Sequence, residues 1–252
     1  MVVLTCHDGA PMARAVAAVP GVEVVAVVSA PLPRPRTLRK RLEAVVRYNG
    51  WTGLARSAGA KVAARLRPAA PAGAEAPCPE LRFDSLHEPR CLEAVRELAP
   101  DLAVVDGTNI LKESLFGIPR LGSLNLHCGR APDYRGAPPV FWELYNGERE
   151  VGVTIHQVTA VLDAGAVFAQ EVFPIDPAPP GDPVAYARRV LAEVLRPAGL
   201  RMMADVVGAI ARGDARPRPQ GTTTHPTYRR PDVATQRELR RRVRARRAGA
   251  PN

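Results

Sequence analysis

Aromatic residues make up only 5% of this 252-residue chain, and cysteine occurs four times, as Cys6, Cys78, Cys91 and Cys128, with no Cys-x-x-Cys spacing. Cysteines spread that widely exclude a disulfide-dense scaffold and a finger-type zinc site, and no His/Cys/carboxylate spacing suggests another metal. A reducing, cytoplasmic setting is expected. No apolar run approaches the roughly 18 residues of a membrane span. The opening MVVLTCHDG has no basic stretch ahead of its short apolar run, so no secretory signal is expected. The chain also lacks a Gly-x-Gly-x-x-Gly turn, which disfavours dinucleotide binding, and it has neither a P-loop nor a Gly-x-Ser-x-Gly elbow. Lysine is scarce as well, contributing three of the 35 basic residues.

What is present is a 46% apolar composition, enough for a real core, and a formal charge of +10 that is unevenly placed. Residues 31–70 hold ten Lys/Arg against one acid, and residues 216–247 hold eleven Arg against two, so the rest of the chain is net −8. The basicity therefore belongs to an insert and a tail, while the part that carries the fold is mildly acidic.

Residues 2–5 (VVLT) and 22–28 read as buried strands joined by an amphipathic stretch from Met12 to Val19, a β-α-β opening. Further along, residues 92–98 read as helix, 102–106 and 122–127 as strands, 140–146 as helix, 151–158 and 166–173 as strands, and 183–211 as a long helix. This alternation predicts an α/β fold, a Rossmann-like, mainly parallel twisted sheet with helices on both faces. Leu38, Leu42, Val45 and Val46 predict a basic amphipathic helix in the insert, a second helix is expected near Leu54 to Leu66, and the Pro/Ala stretch from Pro68 to Pro79 reads as a flexible linker. The expected organisation is one α/β domain over residues 1–212, with residues 31–79 as a helical basic insert after the second strand. A basic Pro/Arg-rich tail follows over 213–252, in which Leu239 and Val243 form too slight a seam to anchor a helix strongly.

The segment Ser123-Leu124-Asn125-Leu126-His127 is the most informative. In a strand, Asn125 and His127 share one face, with Cα atoms roughly 6–7 Å apart, close enough to act on one reacting group. On spacing alone, the favoured reading is that the same pair hydrogen-bonds loop backbone. His156 reads as structural or pocket-lining rather than catalytic, Cys128 as packing, and Tyr48 and Trp51 as helix-end aromatics.

The continuation, His127-Cys-Gly-Arg130-Ala-Pro-Asp-Tyr134-Arg135-Gly136-Ala-Pro138, then Gly152-Val-Thr-Ile-His156 and Leu162-Asp163-Ala-Gly165, resembles the folate-dependent formyltransferase family. That family includes glycinamide ribonucleotide, methionyl-tRNA and amino-sugar formyltransferases. The resemblance implies a catalytic set of Asn125, His127 and Asp163 and a formyl donor, 10-formyltetrahydrofolate, with no metal. The chemistry is compatible: formyl transfer to an amine develops charge on an oxygen and releases a proton, which calls for an amide donor, an imidazole and an orienting carboxylate. It also implies donor contacts at Thr108, Asn109 and Leu111, facing Val161 and Leu162. His7, Asp8, Arg130, Tyr134 and Arg135 are the expected acceptor contacts. Where many relatives have Pro-Ser-Leu-Leu after the His, this chain has Cys128-Gly-Arg130-Ala131.

The expected acceptor is a small phosphorylated amine, first a nucleotide-linked amino sugar and second glycinamide ribonucleotide. A third expectation, of another class, is a non-catalytic protein that binds RNA or an anionic surface through its basic segments.

Overall fold

The computed structural model describes residues 1–33, 37–50 and 76–249. The β-branched runs become short, fully buried strands: β1 (Val2–Thr5), β2 (Ala26–Ser29) and β4 (Ala103–Asp106) have no exposed position. Burial on both faces is the reason their sequences are continuous rather than alternating. β3 (Glu80–Arg82), β5 (Ser123–His127), β6 (Glu150–Gln157) and β7 (Val167–Pro174) complete one seven-stranded sheet in the order β3-β2-β1-β4-β5-β6-β7. Strands β3 to β5 pair in parallel, while β6 runs antiparallel to both β5 and β7.

Helices cover both faces. Val3, Val27, Val104, Leu124 and Leu126 pack with Met12, Ala13 and Val16 of α1 (Ala10–Ala17) and with Met203 and Val206 of α7 (Arg196–Ala211). On the other face Val2, Leu4, Val28 and Val105 meet Cys91 and Val95 of α3 (Pro89–Glu97) and Leu115 of α4 (Glu113–Phe116). α2 spans residues 38–50 up to the edge of the described segment, and α5 (Phe141–Asn146) and α6 (Pro183–Val190) follow in chain order. The strand order reverses direction between β1 and β4, so the crevice outside their carboxyl ends is where an open α/β sheet binds ligands.

Several expectations need correction. The second strand begins at Ala26 rather than 22, because β1 starts at Val2 and pairs it with Ala26, leaving residues 22–25 no partner strand. β3 and α4 were not expected at all. The long helix over 183–211 is broken by a π-helical turn, Leu191–Leu195, just ahead of Pro197, whose missing N–H cannot close the α-helical ladder. The tail is anchored after all. α8 (Val233–Arg247) buries Leu239 and Val243 in the core, and Arg246 donates to the carbonyl oxygens of Leu144 and Tyr145 at 2.6 and 3.0 Å. Hydrogen bonds from arginine supply what the short apolar seam lacks. The second insert helix, Trp51 and most of the Pro/Ala stretch lie outside the described residues. No described helix is long and apolar enough to cross a membrane.

Candidate active site

β5 and β6 place the polar side chains by register. Asn125 lies directly opposite His156, and His127 opposite Thr154, so the Asn-x-His of one strand faces the Thr-x-His of the other. Residues 125 and 127 point to the side that Val105 occupies on β4, away from Leu124 and Leu126, which enter the core. The expected shared face is therefore real, and the antiparallel partner brings in His156.

Asp163 arrives from the β6–β7 connection with φ of +48°, in the left-handed region that Asp tolerates better than most residues. Its Oδ1 accepts from Asn125 Nδ2 at 3.3 Å, its Oδ2 accepts from the Gly136 N–H at 2.9 Å, and Oδ2 lies 3.6 Å from His127 Nδ1. The other His127 nitrogen, Nε2, donates to the Tyr134 carbonyl oxygen at 2.6 Å. His156 Nε2 lies 3.1 Å from Asn125 Nδ2. His127, His156 and Asp163 are all buried. Burial alone would raise the Asp163 pKa, but the neighbouring His127, His156 and the Gly136 N–H outweigh it and bring it down to about 2. Asp163 is therefore a carboxylate at any physiological pH.

Asn125, His127, His156 and Asp163 line a cavity of about 510 Å³ whose walls also include Val105, Leu111, Val158, Leu162 and residues 107–110, 159 and 160. Of the expected donor contacts, Thr108, Asn109, Leu111 and Leu162 line this cavity; Val161 does not and is 61% exposed.

A second cavity of about 400 Å³ lies on the other side of the strand tips, and the two share Gly107 and Leu126 as lining. Its polar wall is a cluster not foreseen from sequence. Buried Asp106, at the end of β4, is gripped by both terminal nitrogens of Arg196, with Nη2 at 3.0 Å from Oδ2, and His7 Nε2 stands 3.5 Å from Oδ1. The hydrogen bond with Asp106 raises the His7 pKa despite the counteracting desolvation. Burial would raise the Asp106 pKa, but His7 and Arg196 hold it below the usual carboxylate value. Gly107, at φ +66°, allows this arrangement, since a Cβ there would sit 2.3 Å from His7 Nε2.

The remaining expected acceptor residues, Asp8, Arg130, Tyr134 and Arg135, line neither of these cavities. Asp8 is exposed and caps the start of α1 by accepting from Ala10 N at 3.0 Å. Arg130 faces Glu148 and Glu150 at 3.9 and 3.5 Å. Tyr134 is buried, its hydroxyl donating to Glu148 at 2.8 Å, so it meets the site through its carbonyl oxygen. Arg135 contacts the C-terminal segment, its carbonyl oxygen accepting from Tyr228 N at 2.9 Å. Cys128 is a thiol pushed up to about 12 by burial, consistent with packing. Asp106 and Arg196 left only a faint signal, an acid ending an apolar strand and an arginine inside a helix. Among the described residues no group of three or more His, Cys, Asp or Glu is placed to hold a metal ion.

A family model described as formyl transferase matches residues 21–193. A methionyl-tRNA formyltransferase of Roseiflexus castenholzii is 35% identical over 143 residues, 56% of this chain and 44% of that protein. The chain thus spans less than half the length of the curated relatives it matches. Two solved structures share the fold. One is a phosphoribosylglycinamide formyltransferase from Anaplasma phagocytophilum, with a TM-score of 0.57 and 20% identity, covering 88% of this chain and 94% of that one. The other is a sugar N-formyltransferase from Shewanella sp FDAARGOS_354, with a TM-score of 0.54 and 15% identity, covering 90% and 75%.

Proposed function

The chain belongs to the formyl transferase family, and from that premise we propose that it transfers a formyl group from 10-formyltetrahydrofolate to the amine of a small acceptor. The observation that carries this reading is the meeting of Asn125, His127 and Asp163 on the wall of the first cavity.

The donor fits that cavity on the chain's own evidence. Its size lies within the roughly 300–1,000 Å³ of small-molecule sites. Apolar walls at Val105, Leu111 and Leu162 suit the faces of a flat bicyclic ring, and Thr108, Asn109 and Thr159 add polar groups to the same lining. The donor supplies an amide-like formyl carbon. The acceptor nitrogen attacks it, a new C–N bond forms, the C–N10 bond of the donor breaks, and the proton lost by the amine ends on N10.

The side chains divide that work. Asn125 donates both amide hydrogens, to His156 at 3.1 Å and to Asp163 at 3.3 Å. The longer bond is the one that a formyl oxygen takes over as charge develops on it. Asp163, ionised and held by the Gly136 N–H, stabilises positive charge on His127 as the pair accepts the amine proton. The Tyr134 carbonyl fixes His127 Nε2, which leaves Nδ1 as the nitrogen that faces Asp163 and the moving proton.

The second cavity is the route for the acceptor, because it reaches the same strand tips from the opposite face and carries His7 and Arg196 on its wall. Its cationic groups favour a phosphorylated amine, with a nucleotide-linked amino sugar as first candidate and glycinamide ribonucleotide as second. The test is an acceptor screen with 10-formyltetrahydrofolate, reading release of tetrahydrofolate, that includes both candidates and methionyl-tRNA. Release stimulated by a small amine supports the reading; release only with methionyl-tRNA replaces its acceptor, and no release with any amine overturns it.

A further inference from the structure

Residues 216–231, beyond the segment that carries the family match, run from α7 past residues 163–167 and 135–137 before α8 begins. Arg218 makes a two-bond antiparallel bridge with Val167, at 2.8 and 2.9 Å. Two residues later, Gln220 Nε2 donates to the carbonyl oxygens of Asp163 and Gly165 at 2.9 and 2.8 Å. At the far end, Tyr228 N donates to the Arg135 carbonyl at 2.9 Å and the Tyr228 carbonyl accepts from Ala137 N at 3.2 Å, bracketing Gly136. The Tyr228 ring stacks on Tyr134 with centroids 5.4 Å apart and planes 9° from parallel.

These contacts converge on the partners of both catalytic groups. Gly136 holds the Asp163 carboxylate, Tyr134 holds His127 Nε2, and Gln220 ties down the main chain of Asp163 itself. Gly136 cannot be another residue here, because a Cβ would lie 2.1 Å from the Tyr228 carbonyl oxygen. Two carbonyl acceptors settle the orientation of the Gln220 carboxamide, since only its NH₂ end can serve them. That orientation leaves its Oε1 buried without a partner, a cost that a residue selected for packing alone would avoid.

We propose that residues 218–228 form a clamp that completes the catalytic site, with Gln220 as the positioning residue that fixes the turn carrying Asp163. This rests on the reading of Asp163 as a catalytic group. The turn matters because Asp163 sits at φ +48° and must meet the Gly136 N–H and face His127 at the same time. Two main-chain tethers at 163 and 165 hold that conformation against relaxation to a negative φ.

Comparison of Gln220→Ala with Gln220→Glu separates clamping from packing. Glu has the shape of Gln, but it offers two carbonyl oxygens one hydrogen when protonated and none when ionised, where the carboxamide offers two. The clamp predicts that both variants lose kcat by about 10- to 100-fold, with Glu at least as impaired as Ala and the KM for donor little changed. It also predicts that the Asp163 carboxyl, followed by its side-chain ¹³C resonance, titrates at a higher pH in both. Packing alone predicts that Glu stays close to the native protein, and that result overturns the proposal. So does an unchanged Asp163 titration in both variants. The titration needs no turnover, so a native protein inactive with every amine would defeat the functional reading while leaving the clamp to be judged by the carboxyl. Should the Gln220 variants fail to fold, Tyr228→Ala tests the other end of the clamp by the same two readouts.

Discussion

His156 Nε2 lies 3.1 Å from Nδ2 of Asn125, its cross-strand neighbour, while its Nδ1 lies 2.8 Å from the carbonyl oxygen of Gln157. A carbonyl oxygen only accepts, so Nδ1 carries a hydrogen, while Nε2 stands beside both Asn125 Nδ2 and, at 3.4 Å, Asp163 Oδ1. The imidazole thus holds the carboxamide and the carboxylate together. His156→Leu should lower kcat by about 10- to 100-fold, less than the roughly 10²- to 10³-fold loss when an oxyanion donor is itself removed. His156→Gln, which can still present an oxygen to Asn125, should recover part of that loss, and steady-state kinetics with any accepted amine reads both.

Asp163→Asn should remove formyl transfer by about 10²- to 10⁴-fold in kcat without unfolding the chain. Its stability effect has a defined sign. The native carboxyl titrates near 2, below its unfolded value near 4, so its contribution is present above about pH 4 and is lost as pH falls through about 2. That contribution is of order 2 kcal/mol. Denaturant unfolding between neutral and acid pH should show a shallower acid-side decline in the Asn variant.

Glu143 behaves in the opposite way. It is buried in α5 with Oε1 unpartnered, and burial pushes its pKa up to about 8. A carboxyl raised in the folded state is harmless below its unfolded pKa and costs stability as pH rises from there through about 8. Glu143→Gln should therefore flatten the stability profile and be more stable than the native protein at pH 8, by at least about 1 kcal/mol. Thermal unfolding at several pH values checks it.

The C-terminal helix offers a packing test. Leu239 is fully buried in the main core, so Leu239→Ala should cost about 2–5 kcal/mol. A surface-attached tail would show almost no change in unfolding midpoint.

Much of this was legible in the sequence because it rests on short periodicities. Residues 102–106 and 122–127 announce buried strands, and the period of two puts Asn125 and His127 on one face. Register between distant segments leaves no such trace. The pairing of β5 with β6 that sets Asn125 against His156 spans 31 positions, and the Asp106–Arg196 pair spans 90. Gln220 reads as a loop residue until the chain folds it against Asp163, 57 positions away. The anchoring of the helix at 233–247 is hidden for a related reason, since a seam of two apolar residues looks weak until the carbonyls that its arginines reach are known.

The central claim is that the first cavity holds the formyl donor against Asn125, His127 and Asp163. Calorimetric titration of the folded protein with a non-hydrolysable 10-formylfolate analogue tests it most directly. The account predicts one analogue bound per chain with a Kd on the order of micromolar. Absence of binding at about millimolar analogue, in a sample shown to be folded, would contradict it.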